Sequence, residues 1–439
     1  MLKQRSIRWL VAGMAAGLIL TACGDVADPQ ETEAEPAAEE EEGDEVTLTL
    51  ESWRDEDVSQ WEEIIDVFES DHPGIRIDYD ATHHQDYDAA MRTRLEGGAA
   101  GDLLACRAFD GSLQLAEEGY LEPIDDLPGL DNFSDEVLQV WQDDDQTTTH
   151  CVPMGGSIHG FIYNTEVFEE LGLTPPQTHE EMIALLEEIS DDGTYTPLAI
   201  GTSDPWSVGE MGYSNIGPNY WRGEEGRQGL IEGTAKFTDE EFVEAFRALA
   251  DWTPFLPDGH EAVTYPDAQQ LFTTGRAAIY PSGSWEIVGF NEQVEFEMGF
   301  FKAPLPDASQ GVCYTNFHTD IGMGMNAATD HPEEARTFLE WVATTEFANV
   351  YGNAVVGQVP LTSEPVDLED PLLEEFLTAT TECENTIRPA YQILDRGEPN
   401  TTTVLFDVST NVLAGSMEPE DAAEELQSAL ESWYEPQQQ

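Results

Sequence analysis

Two tryptophans of this chain stand next to carboxylates, a pairing that suits the binding of a small polar molecule. Trp285 and Glu286 follow a tight Ser-Gly-Ser turn, and Asp204-Pro-Trp206 places a second carboxylate beside a second indole. An indole offers a flat apolar face, and a carboxylate accepts hydrogen bonds from hydroxyl groups. Each motif also has a plain structural interpretation: Trp285 as a core residue that caps a sheet, and Asp204 as part of an ordinary Asp-Pro turn.

Further candidates are charged, aromatic or histidine residues near the ends of predicted strands. Those at strand–helix junctions are Trp53, Arg54, Asp57, Arg107 and Asp110, and the others are His159, His318, Asp320, Tyr220 and Arg388. Cations are scarce, so an arginine here either makes a specific contact or balances a carboxylate. The junction residues also fit solvated loops, and a lone histidine is more often structural than a ligand.

Motifs that would indicate catalysis or metal binding are missing from the sequence. His179-Glu-Glu-Met-Ile183 lacks the final histidine of a zinc-protease helix, and 201–205 lacks the second glycine of a nucleophile elbow. His83-His84 has no third ligand at metal-binding spacing. We therefore expect no catalytic residue, no metal and no cofactor. A secreted glycoside hydrolase stays as the rival class, because so many carboxylates always allow a catalytic pair to be imagined.

The composition is strongly acidic: 89 Asp and Glu oppose 17 Lys and Arg, which gives a formal net charge of −72. Nucleic-acid backbones and anionic membrane surfaces both attract clustered cations, so the sequence excludes both as partners. Hydrophobic residues make up 40% of the chain, enough for a folded globular protein. Self-repulsion on this scale costs stability in dilute buffer, so the charge favours a halophilic acidic surface over an acidic protein of an ordinary medium.

The N-terminus has the pattern of a targeting segment. Residues 1–22 carry three cations and then an apolar run that ends at Leu20, which predicts a signal peptide too short to span a membrane comfortably. Leu20-Thr-Ala-Cys23-Gly resembles a bacterial lipobox, which implies a diacylglycerol group on Cys23 and cleavage before it. A plain cleavage site beside a chance cysteine is the alternative. Residues 23–45 are acidic and poor in large apolar residues, so they predict an extended tether.

The folded part alternates strands and helices, which predicts an α/β architecture with a largely parallel sheet. Predicted strands cover 46–50, 75–79 and 102–106, and helical apolar spacing follows the first two of them. Thr178 and Thr238 each begin a Thr-x-x-Glu sequence before an apolar helical stripe, the pattern of a capping box.

The order of several short phrases resembles the extracellular solute-binding proteins of ABC importers, in the large family that includes maltose-type sugar binders. These phrases are 72–77, 94–98, 101–104, 115–121, 161–173, 272–279, 281–285 and 322–326. The resemblance implies a two-lobed periplasmic-binding-protein-like fold of type II, with a hinge crossed three times, near 152–158, 316–321 and 358–364. It divides the chain into a first lobe of 46–155 plus 320–360 and a second lobe of 157–318 plus 362–436.

The resemblance also implies a function. The protein would be a monomeric lipoprotein, anchored outside the cytoplasm by Cys23, that captures a sugar between closing lobes and delivers it to membrane permease subunits. Trp285 occupies the position of a sugar-stacking tryptophan, and Asp204 with Trp206 is similar to the family's acidic–Pro–aromatic clamp. A polyamine or another small cationic solute is the alternative ligand within the same fold.

Four cysteines remain once Cys23 carries lipid, and an even number outside the cell predicts two disulfides. Three pairings are open from the sequence. The lobe assignment that the resemblance implies favours Cys106–Cys151 and Cys313–Cys383, each within one lobe, and a zinc site is less favoured for lack of Cys-x-x-Cys spacing.

The charge generates a prediction about salt. We expect the melting temperature to rise steeply between no added NaCl and about 1 M NaCl, where the Debye length falls to about 3 Å and self-repulsion is screened. Differential scanning calorimetry over a NaCl series measures this, and a flat response would contradict adaptation to high salt.

Overall fold

The computed structural model describes residues 45–83, 86–143 and 147–438, apart from the side chain of Gln392. The predicted signal peptide, the predicted lipidation site and the tether up to residue 44 lie outside these ranges, so they stay predictions. Within the ranges, no helix has both the length and the apolar character needed to cross a membrane.

The described chain contains one mixed sheet system that runs through the whole molecule. Its strands are β1 (Val46–Ser52), β2 (Ile75–Ala81), β3 (Leu103–Arg107), β4 (Cys151–Asn164), β5 (Thr196–Leu198), β6 (Ala277–Gly283), β7 (Met298–Phe301), β8 (Tyr314–Met325), β9 (Val359–Pro360) and β10 (Glu384–Thr386). The order is β2-β1-β3-β8-β4-β6-β5, with β7 and β9 on β4 and β10 on β8. Strands β1, β2 and β3 are parallel, as are β5 and β6, but β8 runs antiparallel to β3 and to β4.

Helices cover the sheet and join its strands. They are α1 (Val58–Asp71), α2 (Tyr87–Gly97), α3 (Asp110–Glu117), α4 (Asp135–Leu138), α5 (Thr165–Leu171), α6 (His179–Asp192), α7 (Pro205–Ser207), α8 (Ser214–Ile216), α9 (Pro218–Trp221), α10 (Glu224–Glu232), α11 (Glu240–Ala250), α12 (Tyr265–Thr273), α13 (Ile287–Gln293), α14 (Pro332–Val342), α15 (Thr345–Ala354), α16 (Pro371–Glu382), α17 (Thr401–Leu413) and α18 (Pro419–Glu431). A π-helical stretch, Val208–Tyr213, joins α7 to α8.

Two separate hydrophobic cores confirm the two-lobed α/β fold. The first lobe is built around side chains of β1, β3, α1, α14 and α15, and the second around side chains of β6, α6, α11, α17 and α18. Strand β4 serves both lobes, with Val152 and Met154 in the first core and Ile158 and Phe161 in the second. The expectation of a largely parallel sheet holds for β1, β2 and β3 of the first lobe and for β5 with β6. It is wrong for β4 and β8, which join the lobes, and for β6 and β7, which are antiparallel to β4.

The strands that connect the lobes meet at two glycines of β4. Gly155 and Gly156 pair with β9, and the register between β4 and β8 shifts on either side of Gly155. A Cβ on Gly155 would lie 2.8 Å from Oε1 of Gln358, and one on Gly156 would lie 2.9 Å from the carbonyl oxygen of His318. At Gly156 the neighbouring strand backbone therefore lies too close for a side chain, whereas at Gly155 a Cβ would require the Gln358 side chain to move.

Local signals in the sequence located one of the two helix starts that were predicted from capping boxes. The capping box at Thr178 is present: its hydroxyl accepts from the backbone N–H of Glu181, whose carboxylate accepts from that of Thr178. The capping box expected at Thr238 is wrong, because α11 begins one residue later with Asp239 as its N-cap. The carboxylate of Asp239 instead accepts from the backbone N–H of Lys236 and holds the preceding turn.

The structure confirms one expected disulfide and corrects the other. Cys313 and Cys383 are bonded, but Cys106 and Cys151 are free, buried thiols. They lie on β3 and β4, which flank β8, so their backbones are two strand spacings apart, about 9.5 Å. A disulfide needs a Cα separation below about 7 Å. Both sulfurs still lie over Gly324 of β8, whose missing side chain leaves them room.

Gly324 provides a direct test of this packing. A Cβ there would lie 3.0 Å from Sγ of Cys106, 3.1 Å from Sγ of Cys151 and 2.9 Å from Cδ2 of Leu121. We expect Gly324→Ala to reduce the free energy of unfolding by about 1–3 kcal/mol in urea titrations, because a closely packed core cannot accept the extra methyl group. Gly74→Ala is the matched control, since a Cβ there meets no atom within 4 Å. Equal stability of the two variants would show that the core tolerates the added group.

Candidate functional site

Buried polar side chains from both lobes collect where the connecting strands pass between them. We call this group the cleft cluster. Its members are Arg54, Asp57, His159, Glu210, Tyr265, Trp285, Glu286, His318, Asp320, Gln358, Arg388 and Tyr391. Most of their ionisable groups are nearly inaccessible to solvent, although burial of charge is costly unless it is compensated. The ion pairs and hydrogen bonds that compensate these buried charges therefore determine which ligands the site can bind.

A chain of aromatic and imidazole rings crosses the cluster. Trp285 lies edge-on to His159 with ring centroids 5.2 Å apart, and His159 lies edge-on to His318 at the same distance. His318 contacts Tyr391 at 5.9 Å, and Tyr391 contacts Phe109 of the first lobe at 5.4 Å. This series of ring contacts runs from Trp285, through His159 on β4 and His318 on β8, to Phe109 of the first lobe.

Trp285 reaches this position because β6 ends opposite His159. Gly283, the last residue of β6, pairs with His159 of β4, and a short 3₁₀ turn, Ser284–Glu286, follows it. A Cβ on Gly283 would collide with the indole of Trp285. The glycine of the Ser-Gly-Ser turn therefore allows the indole ring to pack directly over the backbone of residue 283. The ring is 9% exposed, so it both closes the second core and borders the cluster.

Glu210 and Arg388 form a buried ion pair in the second lobe. The guanidinium of Arg388 also lies 4.9 Å from the ring centre of Tyr391. Burial raises the pKa of Glu210 to about 7, although the charge of Arg388 and its hydrogen bond to Glu210 act in the opposite direction. Nε2 of His159 lies 3.4 Å from Oε1 of Glu210, and burial holds the pKa of His159 well below its usual value.

Asp320 is a further carboxylate of the cluster, and its side chain is 16% exposed. It accepts hydrogen bonds from Oγ of Ser157 at 3.3 Å and from Nε2 of Gln358 at 3.4 Å, and Nε2 of His318 lies 3.7 Å from its Oδ1. Burial alone would raise the pKa of Asp320, but the His318 hydrogen bond and the charge of Arg388 outweigh it and keep this pKa well below its usual range. Burial, followed by the charge of Arg388, lowers the pKa of His318 to about 4.

Glu286 is another buried carboxylate, and its partners are neutral. It accepts hydrogen bonds from the hydroxyl of Tyr265 at 2.6 Å, from Nε2 of Gln269 at 2.9 Å and from Oγ of Ser282 at 3.4 Å. Burial raises the pKa of Glu286 to about 7. Asp204, in turn, accepts from the backbone N–H of Tyr265 at 2.6 Å.

The first lobe faces the cluster with a paired arginine. Arg54 donates to both carboxylate oxygens of Asp57, from Nε at 2.6 Å and from an Nη at 3.0 Å, and it also pairs with Glu56. Burial raises the pKa of Asp57 to about 6, so this carboxylate is mostly ionised at neutral pH. Arg54 also acts electrostatically on Asp320 of the connecting strand, which ties the first lobe to the cluster.

The two lobes touch at the rim of the cluster. Asp110 of α3 accepts from Nε of Arg396 at 2.6 Å, and Nε2 of Gln60 donates to Glu292 at 2.9 Å. These two contacts join side chains of the first lobe to side chains of the second.

Most of the candidate residues from the sequence come together here. Arg54, Asp57, His159, Trp285, Glu286, His318, Asp320 and Arg388 are members of the cluster. Asp204 and Trp206 border it through Tyr265, whose ring centroid is 4.7 Å from that of Trp206. Trp53, Arg107 and Asp110 lie on the first-lobe side, with the Arg107 guanidinium 4.4 Å from the centre of the Trp53 ring.

Tyr220 is not brought to the cluster, and four members of the cluster were missed. Tyr220 packs on the second core within electrostatic range of Glu244 and Asp251, on the side of α11. The missed residues are Glu210, Tyr265, Gln358 and Tyr391. Glu210 had a signal in the sequence, since it is the one charged residue in the otherwise uncharged segment 205–221. The other three belong to no motif.

Several polar atoms of this region have no hydrogen-bond partner within the described chain. They are Nδ1 of His159, Nδ2 of Asn316 and Oε1 of Gln358, whereas Nε2 of His159 and Nε2 of His318 face only the carboxylates of Glu210 and Asp320 described above. Buried polar groups are normally satisfied, so these atoms indicate a site that binds water or a polar ligand. In the described ranges no group of three His, Cys, Asp or Glu side chains has the arrangement of a metal site.

Comparison with known proteins identifies the family. A model of the bacterial extracellular solute-binding proteins matches residues 52–348, which is more than half of the chain. The chain therefore belongs to this family, and its two lobes form the type II fold expected from the sequence.

Individual relatives agree with this assignment. A multiple sugar-binding protein of Streptococcus mutans is 24% identical over 345 residues, which cover 75% of this chain and 78% of the relative. The maltodextrin-binding protein MdxE of Bacillus subtilis is 23% identical over 354 residues, 77% of this chain and 79% of its own. Among solved structures, a chitin oligosaccharide binding protein has a TM-score of 0.75 at 22% identity, with 89% of this chain and 99% of that chain covered. RafE in complex with raffinose has a TM-score of 0.73 at 22% identity, with 88% and 99% covered.

Glu286 generates a prediction about pH. Its pKa is raised in the folded protein, so the folded state holds a proton between about pH 4.5 and 7 that the unfolded state has released, and stability falls as pH rises through this window. We expect Glu286→Gln to remove the contribution of Glu286 to this fall, so that the variant is more stable than the natural protein by about 1–3 kcal/mol above pH 7 and by much less near pH 5. The contribution of Glu210, whose pKa is also raised to about 7, remains in the variant.

Urea unfolding at the two pH values measures the difference. Glu169→Gln, on the exposed surface of α5, removes the same charge and is the matched control. A gain for Glu286→Gln that does not change with pH would show that burial of the charge is not its cause.

Proposed function

We propose that this protein captures a mono- or oligosaccharide between its two lobes and delivers it to the permease of an ABC importer. The observation that carries the proposal is the position of Trp285, which lies beside Glu286 and His159 within the cleft cluster. An indole face covers the C–H face of a sugar ring, and carboxylates accept its hydroxyl protons. Relatives named as sugar-binding proteins support the same ligand class.

Each lobe supplies part of the proposed site. Arg54 and Asp57 come from the first lobe, whereas Trp285, Glu286 and Arg388 come from the second. A ligand that contacts both sets only when the lobes meet has a higher affinity for the closed state, and it therefore shifts the equilibrium toward closure. The closed form would then dock on the permease.

The proposal includes no catalysis: the ligand leaves unchanged. It also includes a lipid on Cys23 that tethers a monomer to the outer face of the cell membrane, supported by the lipobox pattern at 20–24. Incubation with a bound oligosaccharide separates this function from a glycoside hydrolase, because cleavage products would contradict a transport receptor.

The first experiment is a thermal-shift screen of sugars, polyols and polyamines at about 1 M NaCl, followed by calorimetric titration of each hit. We expect sugars to stabilise the protein, and we expect Trp285→Ala to weaken their binding by about tenfold to a hundredfold, since central tryptophans cost about 1.5–3 kcal/mol when truncated. Trp285→Phe is the control that keeps an aromatic face. If polyamines alone stabilise the protein, the sugar assignment is wrong.

Small-angle scattering tests the closing motion with the same ligands. The radius of gyration should decrease when a sugar that binds in the titration is added at saturation, because closing brings the lobes together. A bound sugar that leaves the scattering curve unchanged would contradict the proposed mechanism.

A further inference from the structure

One buried hydroxyl, that of Ser284, lies between strand β4 and the segment that leads into β9. Ser284 is fully buried and is the first residue of the 3₁₀ turn that carries Trp285. Its Oγ accepts a hydrogen bond from the backbone N–H of Ile158 at 3.1 Å and donates one to the carbonyl oxygen of Gly357 at 2.5 Å. A single hydroxyl can do both, so it joins two backbone segments that are distant in the sequence.

Both of these backbone segments belong to the connection between the lobes. Ile158 lies on β4, which contributes side chains to both hydrophobic cores. Gly357 lies between Val355, which is part of the first core, and Val359, which packs against the second. Ser284 therefore attaches its turn to two of the places where the chain passes between the lobes.

The residues next to these two contacts are also bonded to each other. Nε2 of Gln358 donates to Oγ of Ser157 at 3.2 Å and to Oδ2 of Asp320 on β8 at 3.4 Å. Side chains at adjacent positions thus hold β4, β8 and the segment before β9 together, and Ser284 adds the turn of Trp285 to this group.

Close packing at Gly357 places this turn directly against the connecting segment. The φ angle of Gly357 is 108°, in the left-handed region that favours glycine. A Cβ there would collide with the carbonyl group of Ser284 and would lie 3.4 Å from the backbone nitrogen of Trp285. Only a residue without a side chain allows the two backbones to approach this closely.

The position of the Trp285 indole depends on this backbone. The ring lies edge-on to His159, the residue after Ile158 on β4, with the ring centroids 5.2 Å apart. Removal of the Ser284 hydroxyl would take a partner away from a buried N–H and from a buried carbonyl, which is costly. That cost favours a shift of the turn, and the shift would displace the indole relative to His159.

We propose that Ser284 is a positioning residue for ligand binding. Its hydroxyl fixes the turn of Trp285 to the segments that join the lobes, so that the indole keeps its place beside His159 and moves with these segments when the lobes close. The inference rests on the proposed sugar-binding function, in which the indole covers a sugar ring. It adds a residue that acts through Trp285 and not by contact with the sugar.

A double-mutant cycle tests this role with a sugar identified in the thermal-shift screen. Ser284→Ala should weaken binding about tenfold, because the displaced indole no longer covers the sugar ring. In the Trp285→Ala background the same substitution should change the affinity less than about twofold, because the ring through which Ser284 acts is absent. Calorimetric titrations of the four proteins at about 1 M NaCl measure both effects.

Ser409→Ala is the matched control. Ser409 is also fully buried, on α17, but its hydroxyl has no hydrogen-bond partner in the described part of the chain, so its removal should leave the affinity unchanged. If Ser284→Ala fails to fold, Ser284→Cys takes its place in the cycle. A thiol is only a weak donor and acceptor, so we expect a smaller loss that again disappears in the Trp285→Ala background.

The outcomes separate this role from a general effect on the fold. An equal loss of affinity in both backgrounds would show that Ser284 does not act through Trp285, and it would overturn the inference. Unchanged affinity in Ser284→Ala, or an equal loss in Ser409→Ala, would overturn it as well, and all three results leave the sugar-binding function in place. If the natural protein binds no sugar in the screen, the proposed function is wrong, and this inference is wrong with it.

Discussion

The structure depends on the antiparallel pairing of β4 and β8, which are long enough to take part in both lobes. Each strand places apolar side chains in the first core at one end and contributes to the second core at the other. Where the two strands pass from one core to the other they carry polar residues: His159 and Ser157 on β4, and His318 and Asp320 on β8. At Gly156 the two strands lie so close that a Cβ would be 2.9 Å from the carbonyl oxygen of His318. The cleft cluster is thus a consequence of how the lobes are joined.

Burial gives these polar residues their properties. In water, a carboxylate and an imidazole would titrate near their ordinary values, but in the cleft cluster the same groups are shifted in opposite directions. Glu210 and Glu286 hold protons up to about pH 7, His318 gives up its proton near pH 4, and Asp320 stays ionised. Desolvation raises the pKa of Glu210 and Glu286 and lowers that of His318, whereas at Asp320 the contact with His318 and the charge of Arg388 outweigh desolvation. The same burial therefore leaves neighbouring groups of the cluster in different protonation states.

The extreme surface charge and the cleft charge have different consequences. Exposed carboxylates interact through solvent, and salt screens them within a few ångströms at molar concentration. Buried ones interact through protein, and their effect persists in salt. Ion pairs such as Arg247 with Glu240 and Glu420 belong to the exposed class and contribute little to stability.

Features that depend on neighbours in the chain were readable from the sequence by itself. Helix periodicity, the capping box at Thr178, the Ser-Gly-Ser turn before Trp285 and the ordered phrases of the family all involve residues within a few positions of each other. The tertiary structure decided what depends on distant pairing. It separated Cys106 from Cys151 by inserting β8 between their strands, and it brought Glu210 to Arg388, and Tyr391 to Phe109, across more than a hundred residues. No local pattern encodes such contacts, because strand order and lobe closure arise only from packing of the whole chain. For that reason the sequence could name candidate residues, and only the fold showed which of them lie together and which pair with one another.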